Sequence, residues 1–169
     1  MKHHYYNATI TWTGNRGSGT SDYKAYERSH NVGVKGKRII EATSDPSFRG
    51  DPAKHTPEDM LVTSLSSCHM LWYLHLCAVN GVVVTDYVDH ATGVMEENSD
   101  GSGQFIGVAL SPVVTVQSSD MVDRAYALHQ EATHKCFIAR SVNFDVDHKP
   151  QVLVAGQPAA TVGNVKRVD

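Results

Sequence analysis

No stretch of this chain approaches the roughly 18 consecutive apolar residues that a membrane-crossing helix needs, so a membrane partner is not expected. The opening residues Met1-Lys2-His3-His4-Tyr5-Tyr6 lack the apolar core of a signal peptide, and the expected compartment is the cytoplasm. Cysteine is scarce: three residues in 169, an odd number, with no Cys-x-x-Cys spacing. That excludes a disulfide framework as the default reading and removes the usual zinc signature. An excess of positive charge is also missing. The 15 Lys and Arg are scattered and outnumbered by 18 Asp and Glu, for a net charge of −3, which argues against a nucleic-acid partner. There is no internal repeat. The glycine-rich segment Gly14-Asn15-Arg16-Gly17-Ser18-Gly19 is neither a dinucleotide fingerprint nor a P-loop. What remains, with 41% hydrophobic and 20% charged residues, is an ordinary globular composition with enough chain for one domain and a sizeable core.

Along the chain, alternation over residues 4–13 predicts a strand, followed by the glycine turn and further short strands over 20–40. Residues 42–56 carry Pro46, Gly50 and Pro52 without periodicity and read as a long loop. A helix then starts sharply. Thr56 can cap, Pro57 suits the first turn, and Glu58 and Asp59 favour the positive end of the dipole, with Asp59 placed for a near capping box. Leu61, Leu65, Cys68, Trp72 and Leu76 form the predicted apolar stripe, and Asn80-Gly81 ends the helix. A strand from Val82 to about Met95, a polar turn at residues 98–103 and a returning strand over 105–117 follow, with Pro112 suggesting an edge or bulge. Ser118-Ser119-Asp120 is expected to cap a second helix running to about His134, and residues 142–146 to form a closing strand. Residues 1–149 are read as one domain and 150–169 as a peripheral tail. The order of elements predicts an α+β fold, helices packed on antiparallel sheet.

Several chemistries compete for this framework. Cys68, in the middle of the first helix, is either a buried filler or a reactive thiol. A metal site is disfavoured: His69 and His75 fall on different helix faces, and His129 and His134 are five apart. A cysteine hydrolase would need a distant histidine, because His69 is the sequence neighbour of Cys68 and does not face it. A peroxidatic thiol needs a nearby guanidinium, a carboxylate to hold that guanidinium, and a second thiol to condense with the sulfenic acid. Arg16, Glu58, Cys68 and Cys136 are those parts.

Three segments together resemble the OsmC/Ohr family, the osmotically inducible and organic-hydroperoxide-resistance proteins. They are Trp12-Thr13-Gly14-Asn15-Arg16-Gly17-Ser18-Gly19-Thr20, the run Thr56-Pro57-Glu58-Asp59-Met60-Leu61 with Leu65-Ser66-Ser67-Cys68-His69, and His134-Lys135-Cys136. The likeness spans roughly residues 5–148. Cys68 follows Glu58 by ten residues, as the peroxidatic cysteine follows the glutamate in that family.

The resemblance implies an OsmC-like fold with a long central helix and an intertwined homodimer. It implies Cys68 as peroxidatic and Cys136 as resolving cysteine, joined as a disulfide on oxidation, with Arg16 activating the thiolate and Glu58 positioning the arginine. Arg28 is the other candidate for that arginine. The reaction implied is reduction of organic hydroperoxides, with a dithiol reductant, a lipoyl-bearing protein in some members, and no cofactor. Three departures stand out: Thr56 in place of the usual Asn, His69 after the cysteine, and Phe137-Ile138-Ala139 where Pro-x-Ser is frequent. The alternative from another class is a non-enzymatic ligand-binding or stress-associated domain on the same scaffold. Met60, Leu61, Leu65, Met70, Leu71, Trp72 and Phe137 around Cys68 predict an apolar peroxide over hydrogen peroxide, and Cys77 is expected to be inert.

Overall fold

The computed structural model describes residues 1–157 of the chain. They form two compact units, Met1–Leu61 and Val62 onward, joined through one continuous helix.

In the first unit, β1 (Thr9–Trp12), β2 (His30–Gly33) and β3 (Ile40–Ala42) form an antiparallel sheet in the order β1-β2-β3. The glycine turn after β1 is held by Asn15, whose Oδ1 accepts from the backbone N–H groups of Gly17 at 2.8 Å and Gly19 at 3.1 Å. Both glycines have positive φ, 110° and 59°, which explains why this turn takes glycine. Of the strands expected over 20–40, only β2 and the first residue of β3 form, and β1 is shorter than the alternation over 4–13 predicts. The loop expected over 42–56 contains one short 3-10 turn, Pro46–Phe48, capped by Asp45.

Helix α1 runs from Pro57 to Val79. Its start is the predicted capping box. The Asp59 N–H donates to Thr56 Oγ1 at 3.1 Å, and the Thr56 N–H donates to Asp59 Oδ2 at 2.9 Å. Its end is also as read. Gly81 takes φ 73°, and the Val82 N–H reaches back to the Cys77 carbonyl at 3.0 Å.

The second unit continues with β4 (Val84–Asp89), β5 (Thr92–Glu97), β6 (Gly103–Leu110), β7 (Pro112–Val116), α2 (Val122–Lys135), β8 (Asp145–His148) and β9 (Gln151–Val154). Two three-stranded sheets result, β4-β7-β9 and β5-β6-β8. The pairs β6–β8 and β7–β9 are parallel, so both sheets are mixed rather than purely antiparallel.

The two long strands expected over 82–95 and 105–117 are each broken, at His90-Ala91 and at Ser111, and each half joins a different sheet. Pro112 therefore opens the central strand β7, a first-residue position that needs no ladder N–H, instead of marking an edge. Ser118 makes no side-chain cap. A 3-10 turn over Ser119–Met121 leads into α2. The closing strand lies slightly later than read, at β8. Gln151–Val154, expected in a peripheral tail, is β9 and pairs with β7; residues 158–169 lie outside the described residues.

The core of this unit joins Tyr73, Leu76 and Cys77 of α1 to Val114 and Val116 of β7 and to Ala125, Leu128 and Ala132 of α2. Among the described residues, no helix is long and apolar enough to cross a membrane.

Candidate active site

The buried face of α1 is Leu65, His69, Tyr73, Leu76 and Cys77. It shares Leu65 and Leu76 with the predicted apolar stripe, but its centre is rotated by about 70°, so that His69 and Tyr73 take the inner places expected of Cys68 and Trp72. Placing His69 inwards leaves Cys68 on the flank of the buried face, half-exposed. Trp72, one turn further along, is also half-buried. A flanking position is what a reacting thiol needs, because a fully enclosed one meets no substrate.

Cys136 arrives from the other helix. It is the residue at which α2 ends, and its backbone turns extended there (φ −65°, ψ 109°). Its thiol is buried, with 1% exposure, and lies near enough to the Cys68 thiol for the two to interact. Burial pushes the Cys136 thiol up, to about 11, and the neighbouring Cys68 thiol adds to the rise. The Ala139 N–H donates to Cys136 Sγ at 3.4 Å and acts in the opposite direction. Cys136 is thus a protonated thiol at neutral pH, beside that of Cys68. All three cysteines are free thiols. Cys77 is buried with 1% exposure, and burial raises its thiol; it faces the core, away from any exposed surface.

Around the dithiol the surface is aromatic. Trp72 and Phe137 meet edge-on with ring centroids 5.6 Å apart, and the Lys135 ammonium sits over the Trp72 ring at 5.5 Å. Phe137 is 68% exposed and Leu71 63%, an apolar area open to a ligand or a partner. Leu65, also expected to wall the site, is instead fully buried in the core.

Arg16 and Glu58 both belong to the first unit. Arg16 forms an ion pair with Glu27, both side chains being largely exposed. Glu58 keeps a buried carboxylate oxygen, Oε2, with no hydrogen-bond partner among the described residues. Arg28 is engaged locally. Its guanidinium donates to the Tyr26 and Tyr23 carbonyls at 2.7 and 2.9 Å and lies over both tyrosine rings.

A group the sequence reading missed lies beside the thiols. His69 Nε2 and His129 Nδ1 are 3.1 Å apart, and the two rings are nearly parallel. Tyr73 stacks on His129 at 3.8 Å, and His148 of β8 packs on His69 at 4.4 Å. His69 is 0% and His129 2% exposed. Burial lowers His69 to about 3 and His129 to about 4, with the neighbouring histidines adding to the shift. Burial also lowers His148, against the pull of Asp89. All three are therefore neutral at pH 7. The far nitrogens, His69 Nδ1 and His129 Nε2, have no hydrogen-bond partner among the described residues. No spacing could have announced this cluster, since its members come from three separate elements. Among the described residues, no three or more His, Cys, Asp or Glu side chains are arranged to hold a metal ion.

Two helices with one antiparallel and two mixed three-stranded sheets, and a thiol of α1 lying near one at the end of α2, define an α+β protein carrying a neighbouring pair of thiols. A family model described as an OsmC-like protein matches residues 50–150, and the chain belongs to that family. An OsmC-like protein of unknown function from Vibrio cholerae is similar over 88% of this chain and 99% of its own, with 30% identity and a TM-score of 0.78. An organic hydroperoxide resistance protein OsmC from Legionella pneumophila matches over 91% and 100%, at 16% identity and a TM-score of 0.65. The organic hydroperoxide resistance protein OhrB of Bacillus subtilis matches over 87% and 98%, at 16% identity and a TM-score of 0.55. These last two likenesses are of fold. No curated protein matches the chain.

Proposed function

We propose that this protein is a dithiol peroxidase that reduces organic hydroperoxides to alcohols. The contact between a half-exposed thiol, Cys68, and a buried, protonated one, Cys136, is the observation that carries the reading. The Cys68 thiolate attacks the outer oxygen of the hydroperoxide. The O–O bond breaks, the alkoxide takes up a proton and leaves as the alcohol, and Cys68 becomes a sulfenic acid. The Cys136 sulfur then attacks the Cys68 sulfur. The S–O bond breaks, and the leaving hydroxide takes the proton given up by Cys136, producing water and a Cys68–Cys136 disulfide. A dithiol reductant returns both cysteines to thiols. The exposed Phe137 and Leu71, with the half-buried Trp72, support an apolar hydroperoxide over hydrogen peroxide. The hydroperoxide-resistance proteins among the structural neighbours agree in fold with this reading.

In the same reading an arginine, either Arg16 released from its ion pair with Glu27 or Arg28, activates Cys68, and Glu58 holds that arginine. Glu58 lies ten residues before Cys68, about 15 Å along α1 and rotated by roughly 80°, so it does not reach the thiol of its own helix. A second copy supplies the match, making the active form a homodimer whose Glu58 and Cys68 serve each other across the interface. The unpartnered Glu58 Oε2 is consistent with a guanidinium arriving there.

The test is stoichiometric. Reduced protein is mixed with one equivalent of cumene hydroperoxide, and peroxide loss is followed together with free thiols. One peroxide consumed per chain with two thiols lost is expected, and Cys68→Ser should abolish consumption. Unchanged peroxide and thiols in the wild type would favour a binding domain instead.

A further inference from the structure

We propose that the hydrogen bond between His69 and His129 is a positioning strut that holds α1 and α2 at the spacing where Cys136 can resolve an oxidised Cys68. This rests on the peroxidase reading above and adds to it residues for the second chemical step. Three observations carry it. His69 directly follows Cys68 in α1, and His129 precedes Cys136 by seven residues in α2. Seven residues are close to two turns, so His129 and Cys136 share one face of α2, about 10 Å apart along its axis. The two helices are thus tied at two places on that face, by the thiol contact and by the histidine pair.

The second observation is that the strut is specific. Its nitrogens are 3.1 Å apart in a site that water does not reach. Tyr73 stacked on His129 and His148 packed on His69 fix both rings in place. Two neutral imidazoles share one proton between these nitrogens, so one ring donates and the other accepts. An apolar side chain of similar size would fill the space and leave the helices free to slide.

The third is the tolerance of the chemistry. A disulfide forms only with an S–S distance near 2.05 Å and a narrow range of Cα separations. Attack on the sulfenic acid is correspondingly sensitive to alignment, and a shift of about 1 Å can cost on the order of a hundredfold in rate. Attack on the peroxide is not, because the substrate approaches Cys68 on its own. Loss of the strut should therefore separate the two steps.

The experiment compares wild type, His129→Leu and His129→Asn, the last keeping a polar atom where Nδ1 stands. Each is treated with one equivalent of cumene hydroperoxide. Peroxide consumption reports the first step. Sulfenic acid trapped by dimedone, and disulfide seen by non-reducing mass analysis, report the second. Peroxide consumption is expected to stay within about twofold across the three proteins. Disulfide formation in His129→Leu should fall about tenfold or more, with trapped sulfenic acid and irreversible sulfinic acid rising. His129→Asn should recover most of the disulfide rate. Equal disulfide rates in wild type and His129→Leu would overturn the strut. So would an equal drop in both steps that His129→Asn does not rescue, which marks a merely structural role. If His129→Leu does not fold, His69→Leu against His69→Gln makes the same comparison from α1, with the same outcomes deciding. Failure of the wild type to consume peroxide would instead overturn the peroxidase reading.

Discussion

At the scale of single residues, the histidine cluster ties stability to pH. His69 and His129 titrate at about 3 and about 4 in the folded chain, against about 6.5 when exposed. Above pH 6.5 both are neutral in either state and contribute no pH dependence. As pH falls below 6.5 the unfolded chain takes up protons that the folded one refuses. Stability is lost across the window from 6.5 down to the folded values. Each histidine accounts for about 1.4 kcal/mol per pH unit, or about 2 kcal/mol by pH 5. His148, facing Asp89 and Asp147, acts in the same direction, since burial lowers it as well. The urea midpoint is therefore expected to drop steeply between pH 7 and pH 5, where ordinary carboxylates contribute little. A flat midpoint over that range would mean that the cluster takes up protons without opening.

The same residues show what the sequence hides. Cys68, Glu58 and Cys136 stand out through spacing and helix signals. His69 was legible only as a departure from the family pattern, since hydrophobicity alone ranks Cys68 and Trp72 as better core residues. It lies inside because Tyr73 and His129 meet it there, partners from later in the chain. The pairing of Arg16 with Glu27 was equally invisible, because Glu27 sits in an irregular segment with no periodic signal.

At the scale of elements, α1 was legible at both ends because its signals are local. Thr56, Asp59 and Gly81 do what their chemistry requires within a few residues of themselves. Thr56→Ala removes one half of the reciprocal cap and should lower stability by about 1 kcal/mol. Thermal or urea unfolding checks this, and Thr56→Ser should restore most of the loss; an unchanged midpoint for Thr56→Ala would show that Asp59 caps alone. Strand boundaries were less legible for the opposite reason. The breaks at His90-Ala91 and Ser111 depend on each half joining a different sheet. That choice rests on partners far away: Asp89, for example, accepts from the Ser111 N–H at 2.7 Å and from Ser66 Oγ at 2.5 Å. Strand β9 was missed because its few apolar residues gain their place only by pairing with β7.

At the scale of the whole molecule, the second unit brings the two thiols together by a simple device. It ends α2 at Cys136 and lays that end against the flank of α1, while Cys77 stays in the core between them. A half-exposed thiol beside a buried protonated one suits a two-step cycle in which Cys68 meets the oxidant and Cys136 closes the bond. Peptide mapping of the wild-type protein after one equivalent of cumene hydroperoxide tests this most directly. The expected result is a single new link joining the peptides of Cys68 and Cys136, with Cys77 unmodified. A link through Cys77, or Cys68 carried to sulfenic or sulfinic acid while Cys136 remains a free thiol, would contradict it.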